Sequence, residues 1–157
     1  MVCLGNICRS PLAEGILKKK ADTAGLDWVI ESAGTNGFHV GEAPHHLSQK
    51  VAKANGVNIC DQVARKFSSR DVEEYDFIYA MAADVLNDIR KIAGPGMKGT
   101  NIKLFLDELY PGQSRDVPDP WYGDEDGYHD VYALIDETCE SIVEKYLVTA
   151  NSSKHNV

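Results

Sequence analysis

A cysteine and an arginine stand near the start of the chain with five residues between them, in residues 3–10, which read C-L-G-N-I-C-R-S. Between a strand and a helix, such a loop can bind an anion, because its backbone N–H groups turn inward and the helix dipole adds partial positive charge. Gly5 and Asn6 are residue types that tolerate the positive φ angles of a tight loop. The segment therefore predicts an anion site that contains Cys3 and Arg9.

The same residue types indicate which anion this site would bind. Positive surroundings favour the thiolate form of Cys3, which is the nucleophilic form. Ser10 can donate a hydrogen bond to that thiolate, and the planar guanidinium of Arg9 can bind two phosphate oxygens at once. The pattern thus predicts Cys3 as a nucleophile and Arg9 as a phosphate clamp. A buried thiol at a strand end, followed by a solvated charge at a helix start, remains the alternative for so short a motif.

Apolar runs alternate with amphipathic stretches along the chain, which is typical of an α/β domain with a parallel sheet. Strands are predicted at residues 1–2, 28–30, 77–81 and 102–106, with a turn at 32–35 after the second strand. Helices are predicted at residues 11–24, 47–55, 83–92 and 127–146. The anion loop would then join the first strand to the first helix.

The composition describes a small acidic protein. Its 157 residues are 43% hydrophobic, which predicts one domain over residues 1–147, followed by a flexible polar tail at 148–157. The net charge of −8 argues against nucleic acid and acidic membranes as partners. The sequence contains neither an apolar stretch of membrane-spanning length nor an export leader, so we expect a cytoplasmic protein. Cysteine and histidine spacing predicts reduced thiols, no metal and no cofactor.

A second motif, Asp119-Pro120-Trp121-Tyr122, stands in a long loop rich in Pro, Gly and Asp after the fourth predicted strand. With both motifs in this order, nearly the whole chain resembles the low-molecular-weight protein tyrosine phosphatases. The resemblance implies a single-domain sheet of four parallel strands in the order 2-1-3-4, flanked by helices on both faces. It also implies hydrolysis of phosphotyrosine in proteins through a cysteinyl-phosphate intermediate.

The resemblance assigns roles to further residues. Asp119 would protonate the leaving tyrosine oxygen and later activate water, a role that suits a carboxyl group. Phe38, Trp121 and Tyr122 would form the aromatic walls of a slot. Cys8 would protect an oxidised Cys3 by forming a disulfide with it. The remaining substrate-binding positions are those of the anion loop: Leu4, Gly5, Asn6, Ile7, Cys8 and Ser10.

The chain departs from the family pattern at two places. Gln62 stands where many members have a histidine that supports the loop, while Asn6 and Ser32 keep the types expected of a hydrogen-bonded pair. Only two residues precede Cys3, so either the start of the chain is trimmed or the first strand is unusually short.

Three other functions compete with this interpretation. Arsenate reductases have a similar loop but need a later cysteine pair, and residues 61–137 contain no cysteine. Protein-arginine phosphatases carry threonine at the position of Ile7. A non-catalytic phosphate-binding or thiol-redox module would have no need of Asp119. The particular phosphoprotein substrate and the oligomeric state stay open.

Overall fold

The structure is a computed structural model that describes residues 1–96 and 101–154. A sheet of four parallel strands in the order β2-β1-β3-β4 confirms the predicted fold class. The strands are β1 (Val2–Cys3), β2 (Ala33–Gly34), β3 (Phe77–Ala80) and β4 (Asn101–Leu104). The helices are α1 (Arg9–Thr23), α2 (His46–Ala54), α3 (Ser69–Glu74), α4 (Ala83–Ala93) and α5 (Glu125–Lys154). Short 3₁₀ turns lie at Gly94–Gly96, Phe105–Glu108 and Pro120–Tyr122.

Helices cover both faces of the sheet, because strand side chains alternate between two apolar clusters. Tyr79 packs in the cluster formed with α1, α2 and α5, whereas Ile78 and Ala80 pack in the cluster formed with α3 and α4. The central strand β1 is divided in the same way, with Cys3 on the first side and Val2 on the second. Burial on both faces explains why β3 is an almost continuous apolar run.

The second strand was predicted at the wrong residues. It lies at Ala33–Gly34, inside the predicted turn, and residues 28–32 form no strand. The register explains the difference: β1 spans two residues, which pair Val2 with Ala33 and Cys3 with Gly34. The amino group of Met1 also donates to the Glu31 carbonyl at 2.9 Å, but the paired residues of the two strands are these two pairs.

Two further elements differ from the prediction. Helix α3 was not predicted; it is a short helix whose start is fixed by a capping box between Ser68 and Asp71. Helix α5 continues beyond residue 146 to Lys154, so the tail predicted at 148–157 is helical as far as residue 154, and residues 155–157 lie outside the described part of the chain. The hydroxyls of Thr149 and Ser152 donate to carbonyls one turn earlier, which gives these polar side chains partners within the helix.

The topology places the anion loop at the carboxyl end of β1, between its two neighbours in the sheet. Loops at the carboxyl ends of parallel strands converge on one edge, which is where α/β proteins bind ligands. In the part of the chain that the structure describes, none of the helices combines the length and apolar character needed to cross a membrane.

Candidate active site

The sulfur of Cys3 is buried and receives hydrogen bonds from its own loop. The backbone N–H of Asn6 donates to Cys3 Sγ at 3.2 Å, and Ser10 Oγ lies 3.0 Å from the same sulfur. Asn6 reaches this position because it adopts a positive φ of 58°, as its residue type predicted. The loop therefore points hydrogen-bond donors at its first residue, an arrangement that stabilises a thiolate.

The side chain of Asn6 supports the loop from within. Its Nδ2 donates to Ser10 Oγ and to Ser32 Oγ, both at 2.9 Å, so the predicted pair with Ser32 is present. Its Oδ1 accepts from the backbone N–H of Arg65 at 3.0 Å. Ser32 in turn donates to the buried carboxylate of Glu14 at 2.9 Å. Sequence reasoning missed Glu14 because its neighbours in the chain give no sign of this contact.

Gln62 does not bond to Asn6. Its Nε2 donates to the carbonyl of Pro11 in the first turn of α1, at 3.0 Å. The position that often holds a histidine thus supports the helix behind the loop, while the backbone of Arg65 supports Asn6. Arg65 is itself held by a bidentate ion pair with the buried carboxylate of Asp71, at 3.0 Å on both branches.

Gly34 lets the second strand approach the anion loop closely. A Cβ atom at this position would lie 2.9 Å from the Leu4 carbonyl oxygen and 3.1 Å from the Asn6 nitrogen. Both contacts are with backbone, which cannot move aside without deforming the loop. The next residues continue the contact, as Thr35 and Asn36 donate their N–H groups to the carbonyls of Cys3 and Leu4, both at 3.0 Å.

Arg9 and Asp119 face each other across the site. The guanidinium of Arg9 is buried; its Nη1 donates to the Val117 carbonyl at 3.1 Å, and its Nη2 lies 3.6 Å from Asp119 Oδ2. The carboxylate of Asp119 is partly exposed, and its Oδ1 accepts from the Trp121 N–H at 3.1 Å, which starts the 3₁₀ turn. The structure therefore brings together the loop and the acidic motif that the sequence predicted to act together.

The predicted aromatic walls differ in how firmly they are held. Trp121 packs between two histidines, with ring centroids 5.5 Å from His39 and 5.4 Å from His45. Phe38 and Tyr122 are the more exposed, at 85% and 93%. Sequence reasoning missed both histidines, because an isolated histidine in a loop carries no motif.

Most side chains of the anion loop are buried. Leu4 is part exposed, whereas the side chains of Ile7 and Cys8 are buried in the core cluster.

The hydroxyl of Tyr128 lies 3.6 Å from the Cys8 sulfur. Burial raises the pKa of Cys8 to about 12, although the hydrogen bond to Tyr128 opposes the shift. Cys8 is thus a neutral thiol near neutral pH, and all four cysteines are free.

This geometry can bind a tetrahedral oxyanion beside a nucleophilic sulfur and a carboxyl group. Within residues 1–96 and 101–154, there is no group of three His, Cys, Asp or Glu side chains that could hold a metal ion. The anion loop, the buried guanidinium of Arg9 and the facing carboxylate of Asp119 are the parts that a phosphatase with a cysteine nucleophile requires.

Comparison with known proteins gives the family. The profile of the family "Low molecular weight phosphotyrosine protein phosphatase" matches residues 1–152, so the chain belongs to this family and is a protein tyrosine phosphatase. The low-molecular-weight protein-tyrosine-phosphatase YfkJ of Bacillus subtilis is 39% identical over 145 residues, which cover 90% of each chain.

Solved structures agree with the fold. A protein tyrosine phosphatase from Entamoeba histolytica superposes with a TM-score of 0.86 at 33% identity, over 95% of this chain and 96% of that one. A Drosophila arginine phosphatase superposes with a TM-score of 0.85 at 30% identity, over 92% and 94% of the two chains. The same fold is therefore found in proteins named for two different phosphorylated residues.

Proposed function

We propose that Cys3, Arg9 and Asp119 divide the phosphatase reaction between them. The observation that carries this assignment is the convergence of two segments: Arg9 lies 3.6 Å from Asp119, while the loop that begins at Cys3 ends at Ser10, 3.0 Å from the Cys3 sulfur. A phosphoryl group bound by the loop N–H groups and by Arg9 would therefore have the thiolate on one side and the carboxyl group on the other.

The proposed reaction has two steps. In the first, Cys3 Sγ attacks phosphorus, the P–O bond to tyrosine breaks, and the proton of Asp119 passes to the leaving phenol oxygen. In the second, the Asp119 carboxylate takes a proton from water, whose oxygen attacks phosphorus, so that the P–S bond breaks and phosphate is released. Asp119 ends the cycle protonated, as it began.

The substrate proposed is phosphotyrosine in a protein, held between aromatic walls. Trp121 would form one wall, and Phe38, on the loop that Asn36 ties to Leu4, would form the other. The bulkier apolar Ile7, at the position where arginine phosphatases carry threonine, and the pair Trp121-Tyr122 both favour tyrosine over arginine substrates. A side-by-side assay with phosphotyrosyl and phosphoarginyl peptides measures the preference.

Trapping the intermediate tests the assignment. A phosphotyrosyl peptide mixed with enzyme and quenched in acid within one turnover should leave a phosphoryl group on Cys3, located by mass spectrometry of the digest. Cys3→Ser should give no labelled peptide but should still bind vanadate, because the N–H groups of the anion loop and Arg9 remain. A phosphoryl group on any other residue of the native enzyme would refute the proposed nucleophile.

The proposal extends to Cys8 and to the compartment. Oxidation of Cys3 by peroxide to a sulfenic acid, followed by attack of Cys8 on that sulfur, would form a disulfide and release water. Four free cysteines, two of them in the active-site loop, suit a reducing compartment, which supports the cytoplasm as the location.

A further inference from the structure

Helix α4 begins without an N-cap side chain of its own. Its N-cap residue is Ala82, which has no acceptor to offer, and the N–H of Ala83 donates instead to Asp116 Oδ1 at 2.9 Å. Asp116 belongs to the loop that carries Asp119, three residues before the proposed general acid. A carboxylate at a helix N-terminus is favoured both by the free N–H groups and by the helix dipole.

The neighbouring residue of the loop is held at the same junction. The N–H of Val117 donates to the Met81 carbonyl at 2.8 Å, directly after β3, and the Val117 carbonyl accepts from Arg9 at 3.1 Å. Val117 is buried, whereas Asp116 is exposed. The segment between the 3₁₀ turns at Phe105–Glu108 and Pro120–Tyr122, here called the acid loop, therefore binds the β3–α4 junction through two consecutive residues. The second of them, Val117, also binds Arg9.

We propose that Asp116 is a positioning residue for the phosphatase reaction, which holds Asp119 at the correct place by capping α4 from the acid loop. The inference rests on the proposed role of Asp119 as general acid. Upstream of Asp116, the loop turns through Gly112 and Ser114, both with positive φ, so it has a bent path rather than a regular element to fix its course. Without the tie at Asp116, the segment that leads to Asp119 would lose one of its two bonds to the β3–α4 junction and keep only that of Val117.

A matched control lies in the same helix turn. Asp84 Oδ1 accepts from the Val85 N–H at 2.8 Å, so Asp84 also serves the start of α4 but belongs to the helix and not to the acid loop. Asp116→Ala should slow the first chemical step about tenfold for phenyl phosphates whose phenol resembles tyrosine, since full loss of general acid catalysis costs roughly 10²–10⁴. The loss should be much smaller for nitrophenyl esters, whose leaving groups need no proton. Asp84→Ala should lower the melting temperature without changing this dependence.

The conservative variant separates the hydrogen bond from the charge. Asp116→Asn keeps an oxygen acceptor for the Ala83 N–H, so it should retain most of the rate that Asp116→Ala loses. All rates are measured as the single-turnover burst of phenol release, because a later step can hide the effect at steady state. Equal loss in Asp116→Asn, or in Asp84→Ala, would overturn the assignment.

A double-variant cycle tests whether Asp116 acts through Asp119. In an Asp119→Ala background, Asp116→Ala should cause little further loss for any leaving group, because the acid that it positions is gone. Independent, multiplying losses would overturn the inference. If Asp119→Ala alone lowered the rate by the same factor for all leaving groups, the proposed general acid would be refuted. The cycle reports that outcome separately from the role of Asp116.

Discussion

The backbone N–H of Asn6 lies 3.2 Å from the sulfur of Cys3, and it does so because Asn6 has a left-handed backbone conformation with φ of 58°. The same residue bonds through its side chain to Ser10, Ser32 and the backbone of Arg65. Asn6 thus supports the proposed nucleophile in two ways, through a direct hydrogen bond and by fixing the loop that surrounds the sulfur.

Two substitutions of Asn6 separate these contributions. Asn6→Gly keeps the left-handed conformation and loses three side-chain hydrogen bonds. Asn6→Ala loses the same bonds, and its Cβ atom also destabilises the left-handed conformation by about 1–2 kcal/mol. We expect kcat/KM to fall in both variants and to fall further, by roughly tenfold, in Asn6→Ala. Alkylation of Cys3 by iodoacetate should slow in the same order. If Asn6→Ala were as active as Asn6→Gly, the backbone conformation would not limit the site.

Arg9 offers a second test, through its geometry rather than its charge. Arg9→Lys keeps a cation but cannot reach the Val117 carbonyl and the phosphoryl oxygens together, because an ammonium lacks the planar fork. We expect kcat/KM to fall by about a hundredfold or more, as for loss of a preorganised donor in the transition state. Arg115→Lys is a matched control in the acid loop, where Arg115 stacks on the ring of Tyr110 at 3.9 Å. Similar losses in the two variants would indicate a general effect of arginine on stability.

Motifs determined what the sequence could predict about the site. Residues 3–10 and 119–122 carry their chemistry in contiguous segments, and the hydrogen bond between Asn6 and Ser32 could be predicted from the family pattern. The contacts of Asp116, Glu14 and His45 join segments that are far apart in the chain, and no local pattern reports such a contact. A cap supplied from another segment is invisible to a rule that searches for the cap immediately before the helix.

The strands, too, divide into those that the local sequence reveals and those that depend on a distant partner. Strand β3 was predicted well because burial on both faces produces an apolar run that is readable by itself. Strand β2 was misplaced because its limits are set by its pairing with β1, which joins Ala33 and Gly34 to Val2 and Cys3. Residues 28–30 have a suitable composition but no partner strand, so tertiary pairing outweighs local propensity there.

From the burial of the Cys8 thiol, we predict how the rate of disulfide formation with an oxidised Cys3 depends on pH. Burial, together with the charges of Cys3 and Asp119, raises the pKa of Cys8 to about 12, against the hydrogen bond from Tyr128 and the charge of Arg9. Since only the thiolate attacks a sulfenic acid, disulfide formation after a peroxide pulse should accelerate about tenfold per pH unit between pH 6 and 9.

Two variants check that prediction. Tyr128→Phe removes the hydroxyl that favours the Cys8 thiolate, so the disulfide should form more slowly while the ring remains to pack against His45, at a centroid distance of 5.2 Å. Cys8→Ser should form none, and Cys3 should proceed to irreversibly oxidised acids. The measurement is mass spectrometry of samples alkylated at set times. A rate that did not change with pH would mean that another step controls closure of the disulfide.

His45 packs against Trp121 and makes the stability of the folded chain depend on pH. Its Nδ1 accepts from the Leu47 N–H at 3.2 Å and so caps α2, while its ring stacks on His46 and Tyr128. Burial, and then the charge of His46, lowers the pKa of His45 below its ordinary value. The folded state therefore takes up this proton only at a lower pH than the unfolded chain does. The contribution is fully present above about pH 6.5, the ordinary histidine value, and is lost as the pH falls below it.

The test compares pH slopes, because the buried α-amino group of Met1, whose pKa is lowered to about 6, titrates in the same range. His45→Asn keeps an N-cap acceptor and removes the titration, so its melting temperature should fall less than that of the native chain between pH 7.5 and 5.5. His46→Asn should reduce the slope by a smaller amount, since burial is the larger cause of the shift. Thermal unfolding followed by circular dichroism measures all three proteins. Should His45→Asn keep the full native slope, His45 would have no part in the pH dependence, and its protonation would leave the cap of α2 intact.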